Sequence, residues 1–164
     1  PDGVVVPLDP GQPLLTLGRL VQEDLCLLEA EGDEHILSGA ILCFPASWTL
    51  AQKIGRPLSA IHSPVPVYDE GITRRVQRMF DAIRPAQPLW RANALLYDDP
   101  TLFQPRLEGQ ARRRPVDKTY LRSERQCLLR LPQSNAVVFT IHTYLVLRST
   151  LSAEAEAAIL ALHP

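Results

Sequence analysis

The sequence predicts an α+β domain built on an antiparallel sheet of about five strands. Three observations lead to this prediction: β-type runs recur along the chain, a group of helical patterns falls between the second and third runs, and 46% of the residues are apolar. A chain of 164 residues with this composition can bury one core of its own. Helices that form one insertion cover one face of the sheet, so we expect a space between them and that face.

The N-terminal part combines a proline-rich arm with a hairpin. Residues 1–15 hold four prolines and two glycines, so we expect an arm without a regular helix. The apolar runs LCLLEA (25–30) and HILSGAILCF (35–44) surround a Gly-Asp turn, which is the pattern of a β-hairpin. We assign the first two strands to these runs and treat residues 16–164 as a single domain.

The inserted segment contains two helical patterns. SWTLAQKIG (47–55) has a serine at the N-cap position and a glycine at its end, which predicts a short helix. The next stretch, RPLSAIHSPVPVYDE (56–70), predicts an ordered turn region. From residue 69 to 83, apolar residues recur at three- and four-residue spacings, which predicts an amphipathic helix.

Three further strands follow the insertion. They are LWRANALLYD (89–98), TYLRSERQCLLRL (119–131) and AVVFTIHTYLVL (136–147). The polar stretch 105–118 predicts a solvated loop, and SAEAEAAILAL (152–162) predicts a closing helix with Ser152 as its N-cap. This order of elements resembles the PAS-type scaffold, in which a pocket lies between the sheet and the inserted helices.

Charge and composition argue against several classes of function. A formal net charge of −1 provides no positive field for binding nucleic acid or an anionic membrane, and no apolar run approaches the length of a membrane helix. The three cysteines, Cys26, Cys43 and Cys127, are far apart and odd in number, which is typical of small buried residues in a reducing compartment such as the cytoplasm. Because the first residue is Pro1 rather than methionine, we expect a part of a longer protein.

His62 has the most ligand-like context of the four histidines. It precedes Pro64 and Pro66, and prolines restrict the backbone, so they can hold the imidazole at a fixed angle. The HxxH and HExxH spacings of non-haem metal sites are absent, whereas haem iron needs only one protein nitrogen. The alternative is a packed or capping histidine. We expect His35 and His163 at the surface or the chain end.

Two strand segments carry polar residues that alternation places on a common face. Tyr120, Arg122 and Glu124 share one face of their strand. Arg122 and Glu124 either form an ordered pair on the solvent side or lie in the pocket beside a charged or polarised ligand. In the segment WRAN, Arg91 either binds a carboxylate or coats the rim, and Trp90 points the other way, most simply into the core.

Several long blocks in one order resemble the haem-dependent oxidative N-demethylase alpha-subunit family. They are LVQEDLCLLE, FPASWTLAQKIGRPLSAIHSPVPVYDE, WRANALLYDDPTLFQP, YLRSERQCLLRLP and AVVFTIHTYLV. The resemblance extends over residues 14–147. It implies a PAS-like domain that binds haem b and uses dioxygen to oxidise dimethylamine to methylamine and formaldehyde. It also implies partner subunits: an NADPH-dependent reductase with FMN and an iron–sulfur cluster, and a tetrahydrofolate-binding component that accepts the one-carbon product.

Three residues are candidates for binding the cofactor, and the resemblance assigns a role to the first of them. His62, from the block HSPVP, is the expected proximal iron ligand. Arg91 is a candidate partner of a haem propionate. His142, in the middle of the last strand, is a further candidate cofactor-binding residue, pointing either into the pocket or outward. The family more often has arginine at this position, so the charge of the pocket is a point of difference.

Three residues are candidate catalytic residues, and the resemblance suggests roles for two of them. Arg122, from the block RSER, would stabilise negative charge that develops on dioxygen, and Glu124 would pair with an alkylammonium substrate. Tyr120 is the third. We therefore expect a haem-dependent monooxygenase subunit without nucleic-acid or membrane partners. The alternatives are a non-catalytic PAS-type sensor that binds haem or another small ligand, and an interaction subunit without a cofactor.

Overall fold

A computed structural model describes residues 3–64, 69–111 and 114–162 of the chain. The strands are β1 (Asp24–Glu31), β2 (Glu34–Ile41), β3 (Leu89–Tyr97), β4 (Tyr120–Arg130) and β5 (Val137–Leu147). The helices are α1 (Pro13–Leu20), α2 (Leu58–His62), α3 (Glu70–Ala82) and α4 (Ala153–Leu162), with short 3₁₀ turns at Leu50–Gln52 and Arg148–Thr150. All five predicted strands are present in this structure.

The five strands form one antiparallel sheet in the order β2-β1-β5-β4-β3. β1 and β2 make the predicted hairpin, in which Glu31 pairs with Glu34 and Gly32 has a φ of 60°. Glycine reaches this left-handed conformation without a steric cost, which explains its place in the turn. The chain thus has the predicted α+β class, with a PAS-like five-stranded sheet.

Helices α2 and α3 lie between β2 and β3 in the chain and cover one face of the sheet. Leu58 of α2 and Phe80 of α3 are buried there against a core that includes Cys26, Leu28 and Val137. Full burial of a side chain such as that of Phe80 contributes roughly 1.5–3 kcal/mol. We call the surface beneath these two helices the helix-covered face.

Helix α1 packs on the opposite face of β1 and β2. A Cβ atom at Gly39 would lie 3.2 Å from a methyl carbon of Leu14, and one at Gly18 would lie 2.6 Å from Ile41. These two glycines therefore allow the helix and the sheet to approach closely. Since α1 precedes β1 and α4 follows β5, the insertion between β2 and β3 accounts for only part of the helical structure.

Three local predictions differ from the structure. Helix α1 begins at Pro13, inside the predicted arm, because proline is tolerated at the first helical position, where its missing N–H has no partner. The stretch 47–55 forms only a 3₁₀ turn, since the N–H of Gly55 donates to Leu37 O at 2.8 Å and returns the chain to the sheet. Helix α2 occupies part of the predicted turn region; at five residues it depends on packing rather than propensity.

Two residues have the opposite environment from the one that the sequence suggests. Trp90 is 71% exposed rather than in the core, because β3 is an edge strand and the side chain lies on the face opposite the helix-covered face. His35 is buried rather than at the surface. Its ring packs against Phe80 at a centroid distance of 5.1 Å, and its Nδ1 lies 2.6 Å from Gln77 Nε2. His163 and Pro66 lie outside the described residues.

Asp69 caps helix α3. Its side chain accepts a hydrogen bond from the N–H of Ile72 at 2.7 Å. Across the described residues, none of the helices combines the length and the apolar character that a membrane-spanning helix requires.

Candidate functional site

His62 is the last residue of α2, and the packing of that helix sets its position. Leu58 is buried and Ile61 packs against the same core, so one face of this short helix is fixed on the sheet. The Nδ1 atom of His62 lies 2.9 Å from Leu58 O. A carbonyl can only accept, so Nδ1 carries the proton and Nε2 carries the lone pair.

The environment of His62 favours the neutral imidazole. Burial lowers the pKa of His62, and the positive charges of Lys53 and Arg91 act in the same direction; only the hydrogen bond to Leu58 opposes them. A neutral ring whose second nitrogen is held by a backbone carbonyl is the usual state of a metal-binding histidine. The donor chemistry of this residue therefore fits an iron ligand.

A row of polar side chains lies on the helix-covered face of the sheet. We call this row the polar strip; its members are Asp24, Arg91, Asn93, Arg122, Glu124, Gln126 and Thr143. The strand register places them together: Asn93 pairs with Glu124 and Glu124 with Thr143, while Arg91 pairs with Gln126. Residues directly opposite each other in neighbouring strands share a face. The strip therefore crosses β3, β4, β5 and β1 on the side of the sheet that the helices cover.

Glu124 is held on both carboxylate oxygens. Its Oε2 accepts hydrogen bonds from Asn93 Nδ2 and Gln126 Nε2, each at 3.1 Å, and its Oε1 lies 3.6 Å from Arg122 Nε. The side chain of Arg122 is 2% exposed and that of Glu124 is 12% exposed. This ion pair is therefore an interior one, and the alternative of a solvent-side pair does not hold.

Arg122 fastens two loops to β4. Its Nη1 donates to Leu102 O at 2.9 Å and its Nη2 donates to Phe44 O at 2.7 Å, while the guanidinium lies 5.7 Å from the centre of the Tyr97 ring. Two of its nitrogens are thus committed to backbone carbonyls. Its Nε and the Oγ1 of Thr143 are buried without a hydrogen-bond partner among the described residues. The strip therefore keeps polar capacity that the described part of the protein does not use.

Asp24 and Lys53 belong to the same region and were missed from the sequence. The Oδ1 of Asp24 accepts hydrogen bonds from the N–H groups of Cys43 and Phe44 at 2.6 and 2.9 Å. Its alternation with the buried Cys26 would have predicted an inward position. Lys53 is 7% exposed and donates to Ile61 O; no local pattern in the sequence signals this contact.

The structure brings some of the predicted site residues together and separates others. Arg91 is exposed at the rim of the strip, where its Nε donates to Gln126 Oε1 at 2.9 Å. Tyr120 is half-buried at the start of β4, four residues and about 13 Å of strand from Glu124.

His142 lies on the other face of the sheet. It pairs in register with Arg125 rather than with a strip residue, its Nδ1 lies 3.7 Å from Glu23, and its ring lies 4.4 Å from that of Tyr144. It therefore cannot share a site with the strip, and we do not include it among the cofactor-binding residues.

The described residues contain no group of three or more His, Cys, Asp and Glu side chains that could hold a metal ion. Two cavities, of about 430 and 260 Å³, lie against α3 and beside the end of β3, and neither has His62 in its lining. A metal held at His62 would have to bring most of its own ligands and would lie outside both cavities. Haem iron meets the first condition, because the porphyrin supplies four nitrogens.

Comparison with known protein families supports the same chemistry. The family model described as haem-dependent oxidative N-demethylase, alpha subunit-like, matches residues 2–162, which is nearly the whole chain. The match includes His62 and every member of the polar strip.

Proposed function

Because the chain belongs to the haem-dependent oxidative N-demethylase alpha-subunit-like family, we propose that it is the haem-binding subunit of an enzyme that demethylates a small secondary amine such as dimethylamine. The family supports haem dependence and N-demethylation as the general kind of function. One observation locates the proposed haem site: the Nδ1–H of His62 donates to Leu58 O, which leaves the lone pair on Nε2.

His62 would hold the iron of haem b through Nε2. Haem supplies a redox-active iron that reduces dioxygen, a reaction for which amino-acid side chains have no equivalent. The contact between Nδ1 and Leu58 O keeps the ring in one tautomer and one orientation. Arg91, at the rim, would pair with an anionic group of the cofactor such as a propionate.

Glu124 would bind the amine. Its carboxylate is fixed by Asn93, Gln126 and Arg122, so little side-chain entropy is lost when an alkylammonium group binds. Arg122 would place a positive charge beside Glu124 and hold the loops at Phe44 and Leu102 in place. Two of its N–H groups are committed to these carbonyls and its Nε faces Glu124, so the second hydrogens of Nη1 and Nη2 would have to stabilise charge on dioxygen, the role that the resemblance gives Arg122.

The description of the family as alpha-subunit-like implies other subunits. We propose that these partners are an NADPH-dependent reductase with FMN and an iron–sulfur cluster, and a component that binds tetrahydrofolate and accepts the one-carbon product. For each methyl group, dimethylamine, one dioxygen, two electrons from NADPH and two protons would yield methylamine, formaldehyde and water.

A haem titration followed by ultraviolet–visible spectroscopy tests the site. We expect a Soret band that shifts on reduction and on addition of carbon monoxide, and we expect its loss in His62→Ala. His142→Ala is the matched control, since it removes a half-buried histidine from the opposite face. If His62→Ala keeps the wild-type spectrum, or if the wild-type protein binds no haem, the proposal fails.

Glu124→Gln tests the amine site. We expect about tenfold weaker binding of dimethylamine, because a hydrogen bond to a charged group contributes about 1.5 kcal/mol or more. The amine is titrated against the haem-loaded protein and followed by the change in the Soret band. The spectrum without amine should stay as in the wild type. Equal affinities in the two proteins would reject Glu124 as the amine-binding residue.

Formaldehyde release separates the enzyme from the non-catalytic sensor. With NADPH and a flavin–iron–sulfur reductase as the electron donor, an oxidative N-demethylase releases formaldehyde from dimethylamine. A sensor binds haem with the same dependence on His62 and releases none.

A further inference from the structure

Lys53 contacts both Glu108 and the backbone of Ile61, the residue that precedes the candidate iron ligand His62. It follows the 3₁₀ turn Leu50–Gln52 and is 7% exposed. Its Nζ donates to Ile61 O at 2.5 Å and forms a short ion pair with the carboxylate of Glu108. Ile61 is the residue before His62, so this ammonium reaches the last turn of α2.

These contacts meet two physical requirements at once. The carbonyls in the last turn of a helix have no partners within the helix, and a lysine is almost never fully buried unless it is paired. One ammonium group satisfies a carbonyl of α2 and balances its own charge with Glu108. A cation at this end of α2 also interacts favourably with the helix dipole.

Glu108 is itself fixed by a second set of contacts. Its N–H donates to Gln52 Oε1 at 2.9 Å, and Arg56 Nη1 lies 3.4 Å from its carboxylate. Arg56 also donates to Gln52 O at 2.9 Å. The loop between β3 and β4 is therefore attached through its backbone and its side chain to the segment that precedes α2. We call the contacts among Lys53, Glu108 and Ile61 O the clamp.

We propose that the clamp is a positioning device for His62: Lys53 and Glu108 fix the end of α2, and with it the imidazole that would bind the iron. This inference rests on the proposed function. His62 is tied to its own helix through Leu58 O, so the ring moves with α2 as one unit. Whatever fixes the C-terminal end of α2 therefore fixes the direction of Nε2.

Two variants remove parts of the clamp, and a third serves as the control. Lys53→Met removes the ammonium and keeps an apolar stem of similar length. Glu108→Gln keeps the size and removes the charge, and as a half-buried residue it is the milder change. Glu156→Gln is the matched control. It removes a carboxylate of comparable exposure from an ion pair with Arg148, and neither residue belongs to the clamp.

The first measurement uses the haem-free protein. Amide hydrogen exchange in α2 should become about tenfold faster in Lys53→Met and Glu108→Gln and stay unchanged in Glu156→Gln, because losing a contact worth about 1.4 kcal/mol raises the open population tenfold. Lys53→Arg retains a charged donor and should recover part of the protection. Circular dichroism shows whether each variant is folded. If Lys53→Met does not fold, Glu108→Gln provides the test of the clamp.

The second measurement uses haem. Lys53→Met and Glu108→Gln should bind haem about tenfold more weakly and with a shifted Soret maximum, since ligation then has to restore the order of α2. Unchanged exchange in α2 together with an unchanged spectrum would overturn the clamp while His62→Ala still removes haem. A wild-type protein that binds no haem would overturn the proposed function and this inference together. That conclusion would hold even if amide hydrogen exchange in α2 were faster in the variants than in the wild type.

Discussion

Asp24 is almost fully buried on β1, and two backbone N–H groups bind its Oδ1. Burial raises the pKa of this carboxyl and the charge of Glu124 acts in the same direction, while the hydrogen bonds from Phe44 and Cys43 and the charge of Arg122 act against them. The net direction is upward, so folding favours the protonated form. At the scale of the residue, the cost of burying a charge outweighs the hydrogen bonds that accept it.

This direction gives a pH-dependent prediction for Asp24→Asn. The unfolded chain releases the proton of Asp24 near the ordinary pKa of 3.8, and the folded protein releases it at higher pH. The stabilising contribution of the wild-type carboxyl is therefore complete below the ordinary pKa and declines as the pH rises through the raised pKa. Asparagine keeps the Oδ1 acceptor and cannot ionise, so the variant should gain stability relative to the wild type as the pH rises.

Urea denaturation of both proteins at a series of pH values measures the difference. We expect the two midpoints to lie closest at acidic pH and to separate toward neutral pH, with the variant more stable. Curves that stay parallel across this range would show that Asp24 has no raised pKa.

At the scale of the element, the strands and α3 follow from local patterns, and the short helices do not. Apolar and aromatic residues mark β3, β4 and β5 over nine to eleven residues each, and β5 is also rich in β-branched residues, so the runs are long enough to be recognised as strands. Helix α2 spans five residues and has no capping side chain. Its stability comes from Leu58 on the core and from Lys53 at its end. A helix this short has neither the periodicity nor the capping residue by which a helix is recognised in a sequence.

Helix α3 provides a prediction at this scale. Asp69→Ala removes the side chain that accepts the N–H of Ile72, so the free energy of unfolding should fall by about 1 kcal/mol. Urea denaturation measures the change. Glu70→Ala is the control: Glu70 is exposed and lies 3.9 Å from Arg74, a pair worth about 0.5 kcal/mol or less. Equal losses in the two variants would contradict the capping role of Asp69.

At the scale of the whole molecule, the order of the strands creates the polar strip. β5 lies between β1 and β4, so Asp24, near the start of the sheet, comes to the same face as Glu124, a hundred residues later. The same order places β3 at an edge, which leaves Trp90 exposed and Arg91 at a rim. The arrangement also separates His142 from His62, since alternation along β5 turns it to the other face.

Much of the fold could be predicted from the sequence, but less of the site. The pattern around HSPVP singles out His62, and alternation places Tyr120, Arg122 and Glu124 on one face. Neither pattern shows whether that face is inside. Only the structure shows that Arg122 is buried and holds the loops at Phe44 and Leu102.

The sequence by itself determined what depends on neighbours along the chain: the five strands, the amphipathic helix α3, the faces that alternate along each strand and the family blocks. The tertiary structure decided what depends on residues far apart in sequence: the strand order, the burial of Asp24, Lys53 and Arg122, and the clamp at the C-terminal end of α2. The physical reason is that periodicity and capping act over a few residues. The burial of a charge depends on which distant groups surround it, and no local pattern records them.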